Sequence, residues 1–465
     1  MYVWAIEIET LTETNTTKLP RSVRIVILGS GFAGIEVLRK LQKTFNRDKE
    51  IEIILVSKDN FFLFTPMLPE VSTGMVETRH ILTPVRSFCK KALFYQAEVE
   101  SIDLERRIVH LKYSIGRNSQ PITIHAQAID YDYLIIALGS ETNFFGIPDI
   151  ENHSFTMKDI DDAITLRNHV IDVLEQANLE HKNEQLCTAL LTFIVVGGGF
   201  NGIETVGALN DYVRGTIKNY YYNINPTFAR VILVEAGKKI LEQVDEDLGE
   251  YALKRLESKG VNCMLNTQVK KVTAEGIVLN NDNSIPCYSI IWTAGVIPGK
   301  LIVNLKCEHD KGHRIVTNNF LEIPGHEGVV YAIGDCASIT DTNTGKKYPP
   351  TAQHAIAQGR VAANNVIYEI KRTGEKKRMV YKSKGMMAEI GKRDGIASLY
   401  GIKLRGFMAW WMWRSFYLGN LPTRSKRLKV LLDWTMDLFF KPDVSYFTYP
   451  QGLVKSRRSS KTKMK

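Results

Sequence analysis

Two glycine-rich turns of the same form, 168 residues apart, constrain the fold more than any other feature of this sequence. The first, residues 29–34, reads GSGFAG and follows the apolar run VRIVIL. The second, residues 197–202, reads GGGFNG and follows LTFIVV. The β-branched run before each turn predicts a buried parallel strand, and the apolar spacing after it predicts a helix. Strand, G-x-G-x-x-G and helix form a dinucleotide-binding unit, and its repetition makes two incidental glycine loops a poor alternative.

Each turn is expected to hold the phosphates of one nucleotide. Its first glycine permits a tight turn, its second lets the backbone approach a pyrophosphate, and its third lets helix and strand pack closely. The helix N-terminus supplies free N–H groups and a favourable dipole for the negative charge. The residues expected to contact the two nucleotides are Gly29, Ser30, Gly31, Phe32, Ala33 and Gly34 in the first turn, and Gly197, Gly198, Gly199, Phe200, Asn201 and Gly202 in the second.

The strand predicted after the second turn, residues 231–234, leads directly into Glu235. A carboxylate there can accept hydrogen bonds from a ribose 2′-OH and would repel a 2′-phosphate. It therefore favours NADH over NADPH, although Lys238 and Lys239 weaken the preference. A protein with two dinucleotide sites most simply brings a nicotinamide up to a flavin.

Charge is distributed unevenly along the chain. Residues 401–465 carry 14 basic and three acidic side chains, a net charge of +11, whereas the first 400 residues carry 46 basic and 47 acidic ones. A neutral body with one basic end argues against a general nucleic-acid binder and for contact with a single anionic surface. The length of 465 residues predicts two or three domains.

The six cysteines are scattered and form no C-x-x-C or similar pair. This pattern predicts reduced thiols and neither a metal site nor a disulfide framework. No apolar run approaches the roughly 18–20 residues that cross a bilayer. The first 20 residues lack the basic and apolar segments of a secretory signal.

The C-terminal region combines aromatic and basic residues. Four of the six tryptophans lie between Trp410 and Trp434. Residues 426–440 place five apolar side chains on one predicted helical face, Leu428, Leu431, Leu432, Leu438 and Phe439. Tryptophan favours the membrane–water interface, and basic side chains favour anionic lipid head groups. We expect monotopic attachment to a membrane surface; a dimer interface or a cap on the core is the alternative.

Further motifs resemble those of flavoproteins with two dinucleotide-binding domains. Residues 131–139, YDYLIIALG, resemble the segment that leaves the flavin domain, and residues 291–296, IWTAGV, resemble the segment that returns to it. Residues 331–337, YAIGDCA, resemble the G-D motif whose aspartate binds the flavin ribityl chain. In that family the nicotinamide domain is inserted within a discontinuous flavin domain.

This resemblance implies an α/β fold with two Rossmann-like dinucleotide-binding domains and a C-terminal membrane-associating segment. The implied division of the chain is 22–150 for the first part of an FAD-binding domain, 151–295 for an NADH-binding domain, 296–375 for the second part of the FAD-binding domain, and 376–465 for membrane attachment with a basic tail.

Within this superfamily the sequence resembles the type II NADH dehydrogenases, single-subunit NADH:quinone oxidoreductases of respiratory chains. Four stretches carry the resemblance: residues 60–68 (NFFLFTPML), 197–209, 349–355 (PPTAQHA) and 384–391 (KGMMAEIG). It implies that a hydride passes from NADH to FAD and that two electrons then pass to a quinone, without proton pumping. It also implies a homodimer and a peripheral position on the cytoplasmic side of the cell membrane.

The resemblance assigns catalytic roles to Glu204, Gln353 and Lys384. Glu204 would relay protons or tune nicotinamide contact, Gln353 suits a quinone carbonyl, and Lys384 would lie near flavin or quinone. Their ordinary alternatives are an acid at a helix N-terminus, an exposed helix residue and a solvated base. The other implied cofactor contacts are Ser57, Lys58, Val99, Ala137, Gly139, Glu235, Ala294, Gly295, Gly334, Asp335 and Ala352, with Gln353 shared.

The sequence departs from the family pattern at three places. Ser57 stands where the family usually has an acid, so Ser57 or Asp59 is the candidate ribose contact. Phe200-Asn201 replaces a common Pro-Thr, and Ala357 replaces a second glutamine, which leaves the quinone contact open. Glu175 resembles a family position but is better interpreted as a surface acid.

Three other functions compete with this one. A sulfide:quinone oxidoreductase shares the fold and the membrane habit but needs cysteines poised at the flavin. A soluble NADH-dependent ferredoxin or rubredoxin reductase would have no aromatic basic end. An NADH-binding signalling flavoprotein would show negligible turnover with quinones.

Overall fold

The computed structural model describes residues 22–117 and 120–445. The N-terminal 21 residues and the predicted basic tail after residue 445 lie outside the described residues. From residue 22 to residue 153, the helices and strands are β1 (Val23–Leu28), α1 (Phe32–Thr44), β2 (Ile51–Ser57), β3 (Phe61–Leu63), α2 (Leu68–Ser72), β4 (Leu82–Pro84), β5 (Leu93–Gln96), β6 (Glu98–Asp103), β7 (Ile108–Arg117), β8 (Gln120–Asp130), β9 (Tyr133–Ile136), β10 (Glu141–Thr142) and α3 (Ile150–His153).

The middle of the chain contains the second predicted strand–turn–helix unit. Its elements are β11 (Phe155–Thr156), α4 (Ile160–Leu179), α5 (Glu184–Leu190), β12 (Thr192–Val196), α6 (Phe200–Tyr220), β13 (Arg230–Val234), α7 (Glu246–Ser258), β14 (Val261–Met264), β15 (Val269–Thr273), β16 (Gly276–Leu279), β17 (Ser284–Pro286), β18 (Ser289–Trp292) and β19 (Val296–Ile297).

The remaining elements complete the first sheet and add a C-terminal layer. They are α8 (Lys300–Val303), β20 (Ile315–Val316), β21 (Val330–Ala332), β22 (Ala337–Ser338), α9 (Ala352–Lys371), β23 (Gly385–Glu389), β24 (Gly395–Leu399), β25 (Ile402–Arg405), α10 (Gly406–Asn420) and α11 (Arg424–Phe439). Short 3₁₀ turns lie at Thr65–Met67, Thr78–His80, Val85–Ser87, Pro226–Phe228 and Gly334–Cys336.

Two parallel five-stranded sheets form the centre of the molecule. The first has the order β21-β9-β1-β2-β5 and the second the order β11-β18-β12-β13-β14. All neighbouring pairs in both sheets are parallel. Strand β21 joins the first sheet although it follows the second sheet in sequence. The predicted α/β fold with two Rossmann-like units is therefore confirmed.

The central strands are apolar because both sheet faces are covered. In β1 the last four residues are buried, and in β12 all five are. The glycine turns follow these two strands directly, so each turn lies at the carboxyl edge of its sheet, where open α/β sheets bind ligands.

The C-terminal layer is an antiparallel sheet, β23-β24-β25, followed by α10 and α11. Strand β23 packs against α6, and α10 packs against β23 and β24. Within the part of the chain that the structure describes, no helix has the length and apolar character needed to cross a bilayer.

Candidate flavin, nicotinamide and acceptor site

The first glycine turn has the shape that its sequence predicts. Gly29 has a φ of +102°, and a Cβ there would lie 2.2 Å from the carbonyl oxygen of Ala137. A Cβ on Gly34 would lie 1.9 Å from the carbonyl oxygen of Gly29, so helix α1 can approach the strand only without a side chain. A Cβ on Gly31 would meet no protein atom within 4 Å, and no side chain caps the helix that begins after it. Its exposed N–H groups therefore fit a pyrophosphate.

The second turn repeats this geometry almost atom for atom. Gly197 has a φ of +109°, and a Cβ there would lie 2.9 Å from the Cα of Ala294. A Cβ on Gly202 would lie 1.8 Å from the carbonyl oxygen of Gly197, whereas one on Gly199 would meet nothing within 4 Å. Helix α6 also begins without a side-chain cap. The second turn fits a second pyrophosphate on the same grounds.

The strands after the two turns end in different polar groups. The Ser57 hydroxyl lies 2.8 Å from the hydroxyl of Ser30, and both side chains are buried. Glu235 instead accepts a hydrogen bond from the backbone N–H of Gly198, and a second, at 2.6 Å, from that of Gly237. These bonds hold the Glu235 carboxylate against the second turn, where a nucleotide ribose would approach it.

The G-D segment lies beside the first turn. The Asp335 carboxylate accepts a hydrogen bond from the Ser140 hydroxyl at 2.9 Å and lies 3.8 Å from the Lys158 ammonium. The backbone N–H of Gly334 donates to the Gln358 side chain at 2.8 Å. Sequence analysis missed Ser140 and Lys158 because neither residue belongs to a recognisable motif. Gln358, which follows Ala357, one of the positions that depart from the family pattern, therefore holds the G-D turn in place.

Aromatic side chains also pack around Phe32, which lies within the first turn. The ring of Phe32 lies 5.0 Å from that of Phe62 and 5.9 Å from that of Phe64, both edge to face. Phe64 in turn lies 6.0 Å from Tyr417 on α10. The C-terminal layer therefore reaches the segment around the first turn.

The other predicted residues lie around these two turns. Ala137 follows β9 and is buried, Gly139 has a positive φ, and Gly295 approaches the ring of Phe145. Asn201 donates to the carbonyl oxygen of Met157 at 3.0 Å, which ties the second turn to the segment before α4. The remaining positions are an exposed Lys58 after β2, a half-buried Val99 in β6, a half-buried Ala294 after β18 and a half-buried Ala352 at the start of α9.

Strand β23 brings two of the predicted catalytic residues to its two ends. At one end, the Gln353 amide donates to the Gly385 carbonyl oxygen at 3.2 Å and accepts from the Tyr381 hydroxyl at 3.1 Å. At the other end, the Glu204 carboxylate accepts from the Glu389 backbone N–H at 3.3 Å. Four residues of extended chain separate these contacts by about 13 Å. Lys384 is exposed and lies just before the strand.

The environment of Glu204 is unusual for an acid in the second turn of a helix. Its Oε1 also accepts from the indole N–H of Trp413 at 2.8 Å. The pKa of Glu204 is raised to about 8, chiefly because burial disfavours its charged form. The charge of Glu389 acts in the same direction, and the two hydrogen bonds of Glu204 act in the opposite one. Glu204 therefore retains a proton near neutral pH. It is not a free acid that merely complements the helix N-terminus.

Two further buried acids lie behind Glu204, and sequence analysis missed both. Glu389 accepts from the indole N–H of Trp410 at 2.7 Å, and Glu70 accepts from that of Trp434 at 2.9 Å. We call Glu70, Glu204 and Glu389 the carboxyl cluster. Each of its members accepts a hydrogen bond from a tryptophan of the C-terminal layer.

The expectation that the tryptophan-rich segment faces a membrane is wrong for three of its four tryptophans. Trp410, Trp413 and Trp434 are buried, and only Trp411 is exposed. Their indole N–H groups satisfy buried carboxyl oxygens, whose desolvation would otherwise be costly. Trp410 and Trp413 are one helical turn apart and therefore share a helix face, whereas Trp411 does not. This spacing is the sequence signal that could have distinguished the buried tryptophans from the exposed one. The alternative, a cap on the core, describes these three residues.

The remaining interpretations concern isolated residues. Glu175 is exposed on α4 and accepts from the Tyr221 hydroxyl at 2.7 Å, as a surface acid can. All six cysteines, which lie within the described residues, are free. Burial raises the pKa of every one of these thiols above its usual value.

Comparisons with known proteins agree with this arrangement. Residues 23–359 match the family described as pyridine nucleotide-disulphide oxidoreductase, and residues 383–443 match the NDH2 C-terminal domain. A probable NADH dehydrogenase of Dictyostelium discoideum is 30% identical over 440 residues, which cover 92% of each chain. The type II NADH:quinone oxidoreductase of Mycobacterium tuberculosis is 30% identical over 434 residues, covering 90% of this chain and 89% of that protein.

A solved structure shows the same fold. NDH2 from Plasmodium falciparum in complex with NADH superposes with a TM-score of 0.83 at 21% identity, covering 91% of this chain and 100% of that one. The chain therefore belongs to the pyridine nucleotide-disulphide oxidoreductase family. More particularly, its full-length relatives and its NDH2 C-terminal domain place it among the type II NADH dehydrogenases, which confirms the resemblance seen in the sequence.

Proposed function

We propose that this chain is a respiratory-chain enzyme that oxidises NADH and reduces a quinone, with FAD and NADH as its two nucleotides and without pumping protons. The observation that carries the proposal is that strand β23 joins Glu204, on the helix of the second turn, to Gln353 on α9. Helix α9 also holds the G-D segment, through Gln358. The names of the full-length relatives support the same activity. FAD, when bound, supplies the centre that takes a hydride from NADH and passes two electrons on.

The residues around the first turn would bind and orient FAD. The N–H groups after Gly31 would bind its pyrophosphate, and Asp335, which Ser140 and Lys158 hold in place, would accept from its ribityl hydroxyls. We assign residues 22–150 and 296–375 to this FAD-binding domain, and residues 151–295 to the NADH-binding domain.

The residues around the second turn and β23 would bind NADH and the quinone. The N–H groups after Gly199 would bind the NADH pyrophosphate, and Glu235 would accept from the ribose. The Gln353 amide would donate to a quinone oxygen, and Lys384 precedes Gly385, whose carbonyl oxygen Gln353 contacts. The overall reaction, NADH + H⁺ + quinone → NAD⁺ + quinol, takes up one proton. Glu204 can supply that proton because it remains protonated near neutral pH.

The arrangement of thiols disfavours a sulfide:quinone oxidoreductase. That chemistry needs a cysteine thiolate at the flavin, and thiolates form readily where the thiol pKa is lowered. All six thiols here have a raised pKa because they are buried to different degrees. The buried Cys336, next to Asp335, has a pKa raised to about 11.

Stopped-flow spectroscopy of the FAD-loaded protein tests the function. NADH should abolish the flavin absorbance, and a quinone analogue should restore it, whereas sulfide should do nothing. Loss of absorbance without recovery by any quinone would contradict the quinone half of the proposal. A response to sulfide but not to NADH would instead identify a sulfide-oxidising enzyme.

We further propose that the C-terminal region, residues 376–465, attaches the protein peripherally to an anionic membrane surface. Several large apolar side chains of α10 and α11 are exposed: Phe407, Met408, Trp411, Phe416, Leu428, Leu431, Leu432, Met436, Leu438 and Phe439. This many exposed large apolar side chains on two consecutive helices are typical of an interaction site. The surrounding sequence is basic, and basic side chains favour anionic lipid.

Sedimentation with anionic vesicles tests the attachment without disturbing the core. Replacing Leu432 and Phe439 by glutamine should reduce the bound fraction, because both are exposed apolar groups on α11. The matched control replaces Leu179 and Tyr222, which are exposed at 80% and 83% but lie in the middle of the chain. Equal loss in both variants, or in neither, would contradict the assignment of this face.

A cytoplasmic-side location and a homodimer complete the proposal. Six free thiols suit a reducing compartment. The homodimer is supported by the family resemblance, and the mass of the detergent-solubilised protein tests it.

A further inference from the structure

We propose that Glu389 and Glu70 act as a buried proton store behind Glu204, which returns a proton to Glu204 after each quinone is reduced. The inference deepens the proposed function and rests on it. In the relay, Glu204 gives its proton to a quinone oxygen, Glu389 passes its own proton to the Glu204 carboxylate, and Glu70 passes its proton to Glu389. One proton from the medium refills the store before the next turnover. Only O–H bonds break and form in these steps, and the one proton of the overall reaction is thereby delivered.

Helix α10 holds Glu389 next to Glu204. Trp410 and Trp413 lie one turn apart on this helix and donate to Glu389 and Glu204, respectively. The backbone N–H of Glu389 donates to Glu204 as well. Both described hydrogen bonds to Glu204 fall on Oε1, which leaves Oε2 as the atom that carries the proton.

Arg414, the next residue of α10, connects the cluster to Glu70. Its guanidinium lies 4.2 Å from the ring centre of Trp410 and 4.7 Å from that of Trp434. It donates to Glu70 at 3.4 Å. The exposed fractions of Glu70, Glu389 and Arg414 are 1%, 6% and 7%, so none of these charges is screened by solvent.

The number of charges in this volume requires stored protons. If Glu70 and Glu389 were both ionised beside one guanidinium, one uncompensated negative charge would remain in the interior. An ionised Glu204, half-buried at the edge of the cluster, would add a second, and such charges are costly to bury. The other ionisable groups that act on the cluster are Lys259 and Asp211, which pair with each other at 3.0 Å, and Tyr417. Since that ion pair is itself neutral, it does not compensate the cluster.

Hydrogen bonding and acidity both suit a store that can release its protons. Glu70 Oε2 and Arg414 Nε are buried and have no hydrogen-bond partner among the described residues. A protonated Glu70 can therefore carry its hydrogen on an oxygen that no protein group uses. Burial raises the pKa of Glu389 to about 7 and that of Glu204 to about 8, and it raises that of Glu70 well above its ordinary value.

The test is Glu389→Gln in the FAD-loaded enzyme. The amide oxygen can still accept from Trp410, but the side chain can no longer release a proton. We expect the loss of flavin absorbance on adding NADH to keep its rate within about twofold, and the recovery with quinone to slow about tenfold above pH 7. Lower pH should restore that recovery. The control, Glu36→Gln, removes a carboxyl from the equivalent position after the first turn and should leave both rates unchanged.

A readout independent of turnover is the infrared carbonyl band of protonated carboxyl groups, recorded from pH 6 to pH 9. Part of the pH-dependent amplitude should disappear in Glu389→Gln and persist in Glu36→Gln. An unchanged band together with an unchanged pH profile of quinone reduction would overturn the store. A wild-type enzyme that reduces no quinone would instead overturn the proposed function.

Trp410→Phe provides a second variant if Glu389→Gln does not fold. Phenylalanine retains a ring under Arg414 but removes the N–H that stabilises the Glu389 carboxylate. Glu389 should then hold its proton more tightly, and the alkaline fall of the quinone step should move to higher pH. A shift to lower pH, or none, would contradict the relay.

Discussion

Glu36 and Glu204 occupy the same position in two nearly identical turns, two residues after the last glycine, yet their surroundings differ completely. Glu36 on α1 accepts from Arg360 at 2.6 Å, and that arginine is largely exposed. Glu204 on α6 accepts from Trp413 and from the backbone of Glu389, in a region where burial raises its pKa. The same motif therefore supplies a surface ion pair in one unit and a proton-holding acid in the other.

The difference arises from what packs on each helix. Helix α1 is covered by α9, where a Cβ on Gly359 would lie 2.7 Å from the Ala33 carbonyl oxygen. Helix α6 is covered by the C-terminal layer, where a Cβ on Gly207 would lie 2.8 Å from the Gly391 nitrogen. The glycine turn determines where a nucleotide lies, and the covering layer determines the chemistry beside it.

The largest expected effect separates the two nucleotides. Gly31→Val and Gly199→Val place a side chain where no protein atom lies within 4 Å, in extended backbone that valine adopts, so the fold should persist. Gly31→Val should yield a colourless protein. Gly199→Val should retain its flavin but lose about 100-fold in kcat/KM for NADH. Absorbance spectra and NADH titrations check this, and loss of flavin from Gly199→Val would show that the turns are not independent.

Helix–strand packing should give the next largest effect. Gly202→Ala puts a Cβ within 1.8 Å of a carbonyl oxygen and should lower the free energy of unfolding by about 3 kcal/mol or more. Gly215→Ala, on the same helix with nothing within 4 Å, should stabilise by about 0.5–1 kcal/mol. Urea unfolding of both variants measures the contrast. Similar destabilisation in the two would mean that helix α6 does not approach its strand so closely.

Glu204 should link the stability of the protein to pH. Because the folded-state pKa of Glu204 is about 8, against an ordinary 4.5, its contribution to stability is complete below pH 4.5 and is lost as the pH rises towards 8. One such proton changes stability by at most about 1.4 kcal/mol per pH unit. Glu204→Gln should therefore flatten the fall in Tm between pH 5 and pH 8. An unchanged slope in Glu204→Gln would contradict the assignment.

Nucleotide preference should show the smallest effect. Glu235→Gln removes the charge that repels a 2′-phosphate and should raise the ratio of kcat/KM for NADPH to that for NADH about tenfold. Glu250→Gln, an exposed acid on α7, is the control for net charge. If the ratio changes equally in both variants, the general field of the domain, and not the carboxylate at the turn, determines the preference.

Much of this architecture could be predicted from sequence because it depends on local rules. The apolar runs, the glycine spacing and Glu235 lie within short segments, and the structure places them as those rules require. The C-terminal tryptophans illustrate the limit. Composition alone assigned Trp410 and Trp413 to a membrane face, whereas their partners, Glu389 and Glu204, lie in other segments and become neighbours only in the folded chain.

Glu70 shows the same limit more clearly. It lies 344 residues from Arg414 and 364 from Trp434 in sequence, within a five-residue helix that has no chemical motif. A buried carboxyl of this kind becomes visible only when its hydrogen-bond partners are known. Pairing between distant segments, and not local pattern, creates the carboxyl cluster.

Helix α10 has consequences for anyone who wishes to handle this enzyme without detergent. Deleting the segment from residue 401 would strip the indole donors from Glu389 and Glu204 and would open the interior along α6. A form that is soluble without detergent requires polar substitutions at the exposed residues, such as Met408 and Trp411, while the buried residues of the helix are kept. Because the exposed side and the buried side belong to the same helix, point substitutions can separate their roles and a deletion cannot.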